Sequence, residues 1–238
     1  MTYVEGFITA VPKANKDAYK AHAEEAYGLF KDMGLTRMVE NWGHDVPEGK
    51  TTDFRKAVQA TPDEEVVFSW FEYPDKAARD AANRKMMEDP RMEAMGSSMP
   101  FDGKRMIWGG FDAIVDDKAS GKTGYIDGIV VPVPNGNKDA YRAMAEKTSA
   151  KFREHGAVRV MESWGDDVPE GKVTDYQRAV QAKPDENIVY SWIEWPDKAT
   201  RDSAWEKIMA DPDMQPGGDM PFDGQRMFWG GFEPILDK

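Results

Sequence analysis

In the segment Val66-Val-Phe-Ser-Trp-Phe-Glu-Tyr73, apolar residues fall on both parities: Val66, Phe68 and Trp70 alternate with Val67, Phe71 and Tyr73. A strand of that kind has neither face in water. Around it the pattern is easy to punctuate. Tyr3 to Val11 is short, apolar and β-branched, and Pro12 stops it. From about Asn15 to Met33 the apolar positions (Ala18, Tyr19, Ala23, Ala26, Tyr27, Phe30) have helical spacing, and Gly34 is a natural left-handed cap. Leu35 to Trp42 reads as a strand, and the Pro47-Glu-Gly49 turn follows. Two strand-like runs come next, Thr52 to Ala60 and Val66 to Tyr73. Pro74-Asp75 opens a second helix to about Glu88, and Lys104 to about Val115 is a last strand containing the Gly109-Gly110 pair.

The whole pattern then occurs a second time. Asn15-Lys-Asp-Ala-Tyr19 returns as Asn137-Lys-Asp-Ala-Tyr141, Asp45-Val-Pro-Glu-Gly-Lys50 as Asp167-Val-Pro-Glu-Gly-Lys172, and Trp108-Gly-Gly-Phe111 as Trp229-Gly-Gly-Phe232. The register holds until one residue drops out near Gly217. Residues 1–117 and 124–238 form the two repeats, with a linker at 118–123 inside the polar run Asp116 to Gly124. Each repeat has the order β-α-β-β-α-β with an extra strand in the middle, the split βαβ or ferredoxin-like arrangement. Two helices cover only one face of such a sheet, so the other needs a partner sheet, and the second repeat supplies it. The expected fold class is α+β: two ferredoxin-like repeats packed as a pseudo-twofold dimeric α/β barrel within one chain, monomeric as a whole.

Each repeat resembles the bacterial domain of unknown function 1428. The resemblance rests on V-x-G-x-x-x-x-V-P at Val4 to Pro12, D-V-P-E-G-K at Asp45, S-W-x-E at Ser69, and the tail S-M-P-F-D-G-K-R-M-I-x-G-G-F ending at Phe111. The second repeat departs at Asp219, where the first has Ser98, and at Gln225, where it has Lys104. The resemblance implies a barrel usually built from two single-copy chains, so that this chain is a fused dimer. It implies no activity, although some members carry a name referring to signal-recognition-particle RNA.

Charge narrows the function. With 43 acidic against 31 basic residues the net charge is -12, which repels nucleic acid and anionic membrane alike, and no ribonucleoprotein motif occurs. Without cysteine there are no disulfides, thiolate metal sites or cysteine nucleophiles. No leader or long apolar run stands out, which makes a soluble, cytoplasmic protein the expectation. No phosphate-cradling glycine motif is present, and no cofactor or metal is expected. The Trp-Gly-Gly-Phe strands read as a bulge or tight packing, the Val-Pro-Glu-Gly-Lys loops as turns, and Met86, Met87, Met92, Met95 and Met99 as adaptable core filler.

Histidine offers little symmetry: His22 aligns with Met144, His44 with Asp166 and His155 with Met33. His22 and Glu25 read as a solvated pair one helical turn apart. Charges within otherwise buried strands are more informative, because they need solvent or a partner. Glu72 and Glu194, beside Trp70 and Trp192, are expected at the barrel end shared with Arg37 and Arg105, and with Arg159 and Arg226 in the second repeat. Together with Trp42 and Trp164 they form the expected ligand-binding set, lining a lumen suited to a small polar or aromatic molecule. Glu40 and Glu162, expected at the opposite end near Glu5 and without an arginine neighbour, are the acid–base candidates. Three readings therefore stand open. The first is a small-molecule-binding barrel, with enzymatic activity undecided. The second is a non-catalytic stress or interaction protein whose charged lumen is structural, and the third an RNA-associated protein.

Overall fold

The computed structural model describes residues 2–212 and 220–238. The sequence changes near Gly217 and at Asp219 lie outside them. In the first half β1 (Tyr3–Pro12), α1 (Lys16–Lys31), β2 (Arg37–Asp45), α2 (Phe54–Ala57), β3 (Glu64–Tyr73), α3 (Lys76–Glu88), α4 (Arg91–Ser97) and β4 (Ile107–Lys118) follow in order. The second half repeats seven of the eight among the described residues, as β5 (Tyr125–Pro134), α5 (Lys138–Glu154), β6 (Arg159–Asp167), α6 (Tyr176–Ala179), β7 (Glu186–Trp195), α7 (Lys198–Ala210) and β8 (Phe228–Asp237). Among the described residues no helix is long and apolar enough to cross a membrane.

The eight strands close into one barrel in the order β1-β3-β2-β8-β5-β7-β6-β4. Each half contributes the four-stranded sheet expected of a ferredoxin-like unit, and two cross-half seams join them. β4 pairs with β6, with Asp112 opposite Trp164, and β2 pairs with β8, with Trp42 opposite Glu233. Both seams contain register shifts, the local irregularities that let a sheet curve enough to close. Closure leaves no sheet edge exposed and buries the second face of each sheet in the lumen, as the doubly apolar strand required.

Strand alternation then divides each sheet. Val66, Phe68 and Trp70 face the lumen, whereas Val67, Phe71 and Tyr73 pack beneath the helices. The lumen is a packed core. Trp70 stacks on Trp192 with ring centroids 4.1 Å apart, and Phe68 stacks on Tyr190 at 4.6 Å. Offset ring pairs of this kind add stabilisation beyond their buried area.

Thr52 to Ala60, expected as a strand, instead holds the short helix α2. Asp53 caps it, its side chain accepting the Lys56 N–H at 2.7 Å, and Gln59 ends it with a left-handed φ of 51°. The apolar residues Phe54, Ala57 and Val58 stand at i, i+3 and i+4, a helical spacing. Phe54 plugs the floor of the barrel, edge-on to Phe68, Phe228 and Phe232, and Tyr176 of α6 does the same beside Phe111 and Tyr190. Thr174 donates to the Ala57 carbonyl at 2.6 Å and Thr52 to that of Ala179, stitching α2 to α6 across the halves.

Two punctuation marks are as the residues dictate. Gly34 takes φ +112° at the end of α1, and a side chain on Gly110 would run into the Tyr3 hydroxyl, so the glycine pair of β4 serves close packing. The polar run starting at Asp116 is partly strand: Asp117 lies opposite Val160 and Lys118 opposite Arg159.

Candidate functional site

The barrel mouth gathers four charges. Arg37 enters from β2 and Glu72 from the adjacent β3, directly opposite in register; their side chains approach to 3.5 Å. The tighter bonds run across the lumen. Arg37 Nη1 and Nη2 donate to the two carboxylate oxygens of Glu194 at 2.7 and 3.0 Å, and Arg159 donates to those of Glu72 at 2.6 and 3.0 Å. Trp70 and Trp192 each donate an indole N–H to the glutamate two residues on, at 3.0 Å. Burial would raise the Glu194 carboxyl, but bonds from Arg37 and Thr123 override it and hold it at about 2. Asp116 and Asp237 complete the set, bonding Arg159 and Arg37. A polar recess of about 460 Å³ adjoins this cluster, between it and residues 118–123.

Arg105 and Arg226 are not at this mouth. Arg105 forks onto Glu64 at 2.6 and 2.8 Å, and Arg226 onto Glu186 at 2.6 Å through both nitrogens. The cause is strand direction. β1 is antiparallel to both β3 and β4, so β3 and β4 run parallel and the start of β4 lies near Glu64, at the start of β3. The fork holds the Glu64 carboxyl at about 2. Trp42 and Trp164 also lie elsewhere than expected. They occupy the outer face, where Lys16 and Lys138 stand over their rings at 5.1 Å. The lumen itself is filled by stacked rings, so the space for a ligand has to be sought outside it.

Such a space lies between the sheet of the first half and its helices. A cavity of about 240 Å³ is bounded by Phe7, Phe30, Met38, Phe71, Met95 and Phe101, with Thr9, Glu40, Ser69, Tyr19 and His22 as its polar members. Glu40 is on the outward parity of β2, opposite Ser69 of β3. It is therefore mid-strand. Glu5 is not its neighbour: it sits opposite Phe71, toward the Glu72 end, and bonds Asn83 and Arg79. On α1, the i, i+3 spacing of Tyr19 and His22 turns both toward the same space.

Glu40 is held on one side only. The Tyr19 hydroxyl donates to Oε2 at 2.6 Å and the Ser69 hydroxyl donates to the same atom. Oε1 has no protein partner among the described residues and is not sealed from the cavity. Burial raises the Glu40 carboxyl to about 7, an effect that the two hydroxyls only partly offset. Glu162 in the second half is likewise raised to about 7 by burial and accepts from Tyr141 at 2.8 Å.

Several members of this site were not singled out in the sequence. Tyr19 and Ser69 recur as Tyr141 and Ser191, and the joint recurrence of a tyrosine, a serine and a glutamate was the available signal. His22 reads as solvated from its charged neighbours, yet it is half-buried and edge-on to Phe101, with centroids 6.2 Å apart, while Glu25 is exposed. Met92, Met95 and Met99, expected as core filler, line the cavity. No group of three or more His, Cys, Asp or Glu residues suited to a metal ion occurs among the described residues.

The family described as protein of unknown function (DUF1428) matches the chain twice, at residues 2–103 and 124–224, and the chain belongs to that family as a tandem form. The uncharacterized protein YbaA of Escherichia coli (strain K12) is 62% identical over 117 residues, which is 49% of this chain and 100% of the relative. Among solved structures, a putative monooxygenase from Fusobacterium nucleatum aligns with TM-score 0.59 at 12% identity, covering 100% of this chain and 94% of that one. A putative monooxygenase from Lactobacillus acidophilus also gives 0.59, at 10% identity, covering 99% and 95%. An anthrone oxidase-like protein gives 0.55 at 11% identity, covering 100% and 92%. At these identities the likeness is one of fold.

Proposed function

We propose that this tandem DUF1428 protein binds a small, largely apolar aromatic molecule in the cavity between α1, α4 and the outer face of β1, β2 and β3, and that Glu40 takes an acidic proton from it. One observation carries the reading: two hydroxyls fix Glu40 through Oε2 and leave Oε1 open to an apolar cavity. A carboxyl near pKa 7 is both ionised and protonated in useful amounts at neutral pH, the property wanted of a general base. Aromatic and methionine walls supply shape and dispersion contacts to a ring system but little stabilisation for a charge. The substrate is accordingly neutral when it enters, with one O–H, or a C–H activated by a carbonyl, placed at Oε1. That proteins of this fold are named putative monooxygenases and anthrone oxidase-like supports chemistry on a small organic molecule.

The charges at the barrel mouth have a structural role in this reading. Their donors and acceptors are spent on each other, which leaves few free for a ligand. A monomeric chain fits this reading, since the two cross-half seams already occupy every sheet edge.

Titration with 4-nitrophenol, whose ionised form is coloured, tests the reading. The wild-type chain should bind it and enrich the ionised spectrum at neutral pH, and Glu40→Gln should remove that enrichment. Equal spectra for the two proteins would refute the assignment of Glu40.

A further inference from the structure

The two halves keep the same carboxyl and its hydroxyl donor, Glu40 with Tyr19 and Glu162 with Tyr141, but they differ at the opposite wall. His22 aligns with Met144, which packs against a buried apolar cluster containing Tyr141 and Trp164. His22 is half-buried at the cavity, and neither ring nitrogen has a hydrogen-bond partner among the described residues. A polar ring held at an apolar cavity with both nitrogens unspent is available to a ligand.

We propose that the working site of the chain is in the first half, and that His22 makes it so by contacting the oxygen of the ligand across the cavity from Glu40. This rests on the function proposed above. When the ligand O–H proton moves to Glu40 Oε1, the electron pair stays on oxygen, and the imidazole N–H donates a hydrogen bond to the resulting oxyanion. No oxidant or metal takes part in this step. Burial lowers the His22 pKa against the opposing charge of Glu25, which favours the uncharged ring, with one nitrogen a donor and the other an acceptor. Met144 offers no such donor, so Glu162 has no partner for the other end of the same transfer.

Equilibrium dialysis of the full-length chain with 4-nitrophenol, paired with its absorption spectrum, tests this. One equivalent should bind per chain. His22→Met, which installs the residue the second half already carries at the aligned position, should weaken binding roughly tenfold, the loss of one hydrogen bond to a charged oxygen. His22→Gln, which keeps a donor, should recover most of it. Two equivalents per chain, or His22→Met binding as tightly as wild type with an unchanged melting temperature, would overturn the proposal. The Glu40→Gln protein separates the two ideas. If it keeps the ionised spectrum the proton acceptor is wrong, whereas if it loses that spectrum and His22→Met does not weaken binding, only the role of His22 is wrong. Failure of the wild-type chain to bind the probe would overturn both.

Discussion

Arg37 lies opposite Glu72 in strand register, yet its guanidinium makes its two-point contacts with Glu194 and Asp237, both residues of the other half. Arg159 and Glu72 repeat the arrangement across the pseudo-twofold. The charges that strand pairing would keep within a half are exchanged between halves, so the barrel mouth acts as a cross-link between the two repeats.

Arg159 and Glu72 are both buried, so Arg159→Met should leave a carboxylate without its main counter-charge and cost about 3–5 kcal/mol of stability. Urea unfolding would measure it. Replacing both residues with apolar ones, Arg159→Met with Glu72→Leu, should recover much of the loss, since a buried pair gains little over apolar packing. A single-variant loss under about 1 kcal/mol, the range of an exposed pair, would show that the mouth is solvated.

The seams β2–β8 and β4–β6 have a consequence for the repeats taken singly. Residues 1–117 alone would present two unpaired sheet edges and a lumen face carrying Val4, Ile8, Phe68 and Trp70. That fragment should form a symmetric dimer, as the 117-residue relative would by the same logic. Light scattering coupled to size exclusion would read its mass. A stable, soluble monomer would contradict the closure argument.

Much of this architecture was legible because it depended on local signals. The apolar parity of Val66 to Tyr73 required a second covering layer, and the duplication named the layer. Arg105 was misplaced because its location depends on the relative direction of β3 and β4, which is set through β1, a strand distant in sequence. α2 was misread because five apolar or β-branched residues around Asp53 suit a strand as well as a capped turn of helix. The cavity was invisible for a further reason: sequence shows that Glu40 is buried, but not which atoms around it leave a gap. The lumen, the expected ligand site, was closed by rings whose stacking across the halves no single repeat could reveal.

Stability should also fall with rising pH in a window set chiefly by Glu40 and Glu162, two of the glutamates that burial raises. Folded Glu40 and Glu162 hold their protons to about pH 7, against an ordinary value of 4.5, so the folded state binds more protons than the unfolded one in that interval. Unfolding free energy therefore decreases as pH rises from about 4.5 through about 7. Each group contributes on the order of 3 kcal/mol to the total change across that window. Glu194 works in the opposite sense and at lower pH: its bonding to Arg37 stabilises above its unfolded value and is lost as pH falls toward about 2. The double variant Glu40→Gln with Glu162→Gln should flatten the upper window in urea titrations run at several pH values, leaving the acid limb in place. An unchanged slope would mean that neither carboxyl is perturbed.

The central claim, that Glu40 is a buried carboxyl poised for proton transfer and open to a ligand, is tested most directly by following its side-chain carboxyl carbon with ¹³C NMR across the pH range. Assignment comes from Glu40→Gln. Two glutamates should titrate near 7, Glu40 and Glu162, and Tyr19→Phe should raise the Glu40 value further by removing a donor to its charged form. On adding 4-nitrophenol, the Glu40 signal should shift and that of Glu162 should stay. A Glu40 carboxyl that titrates near the ordinary 4.5 and ignores the probe would contradict the account.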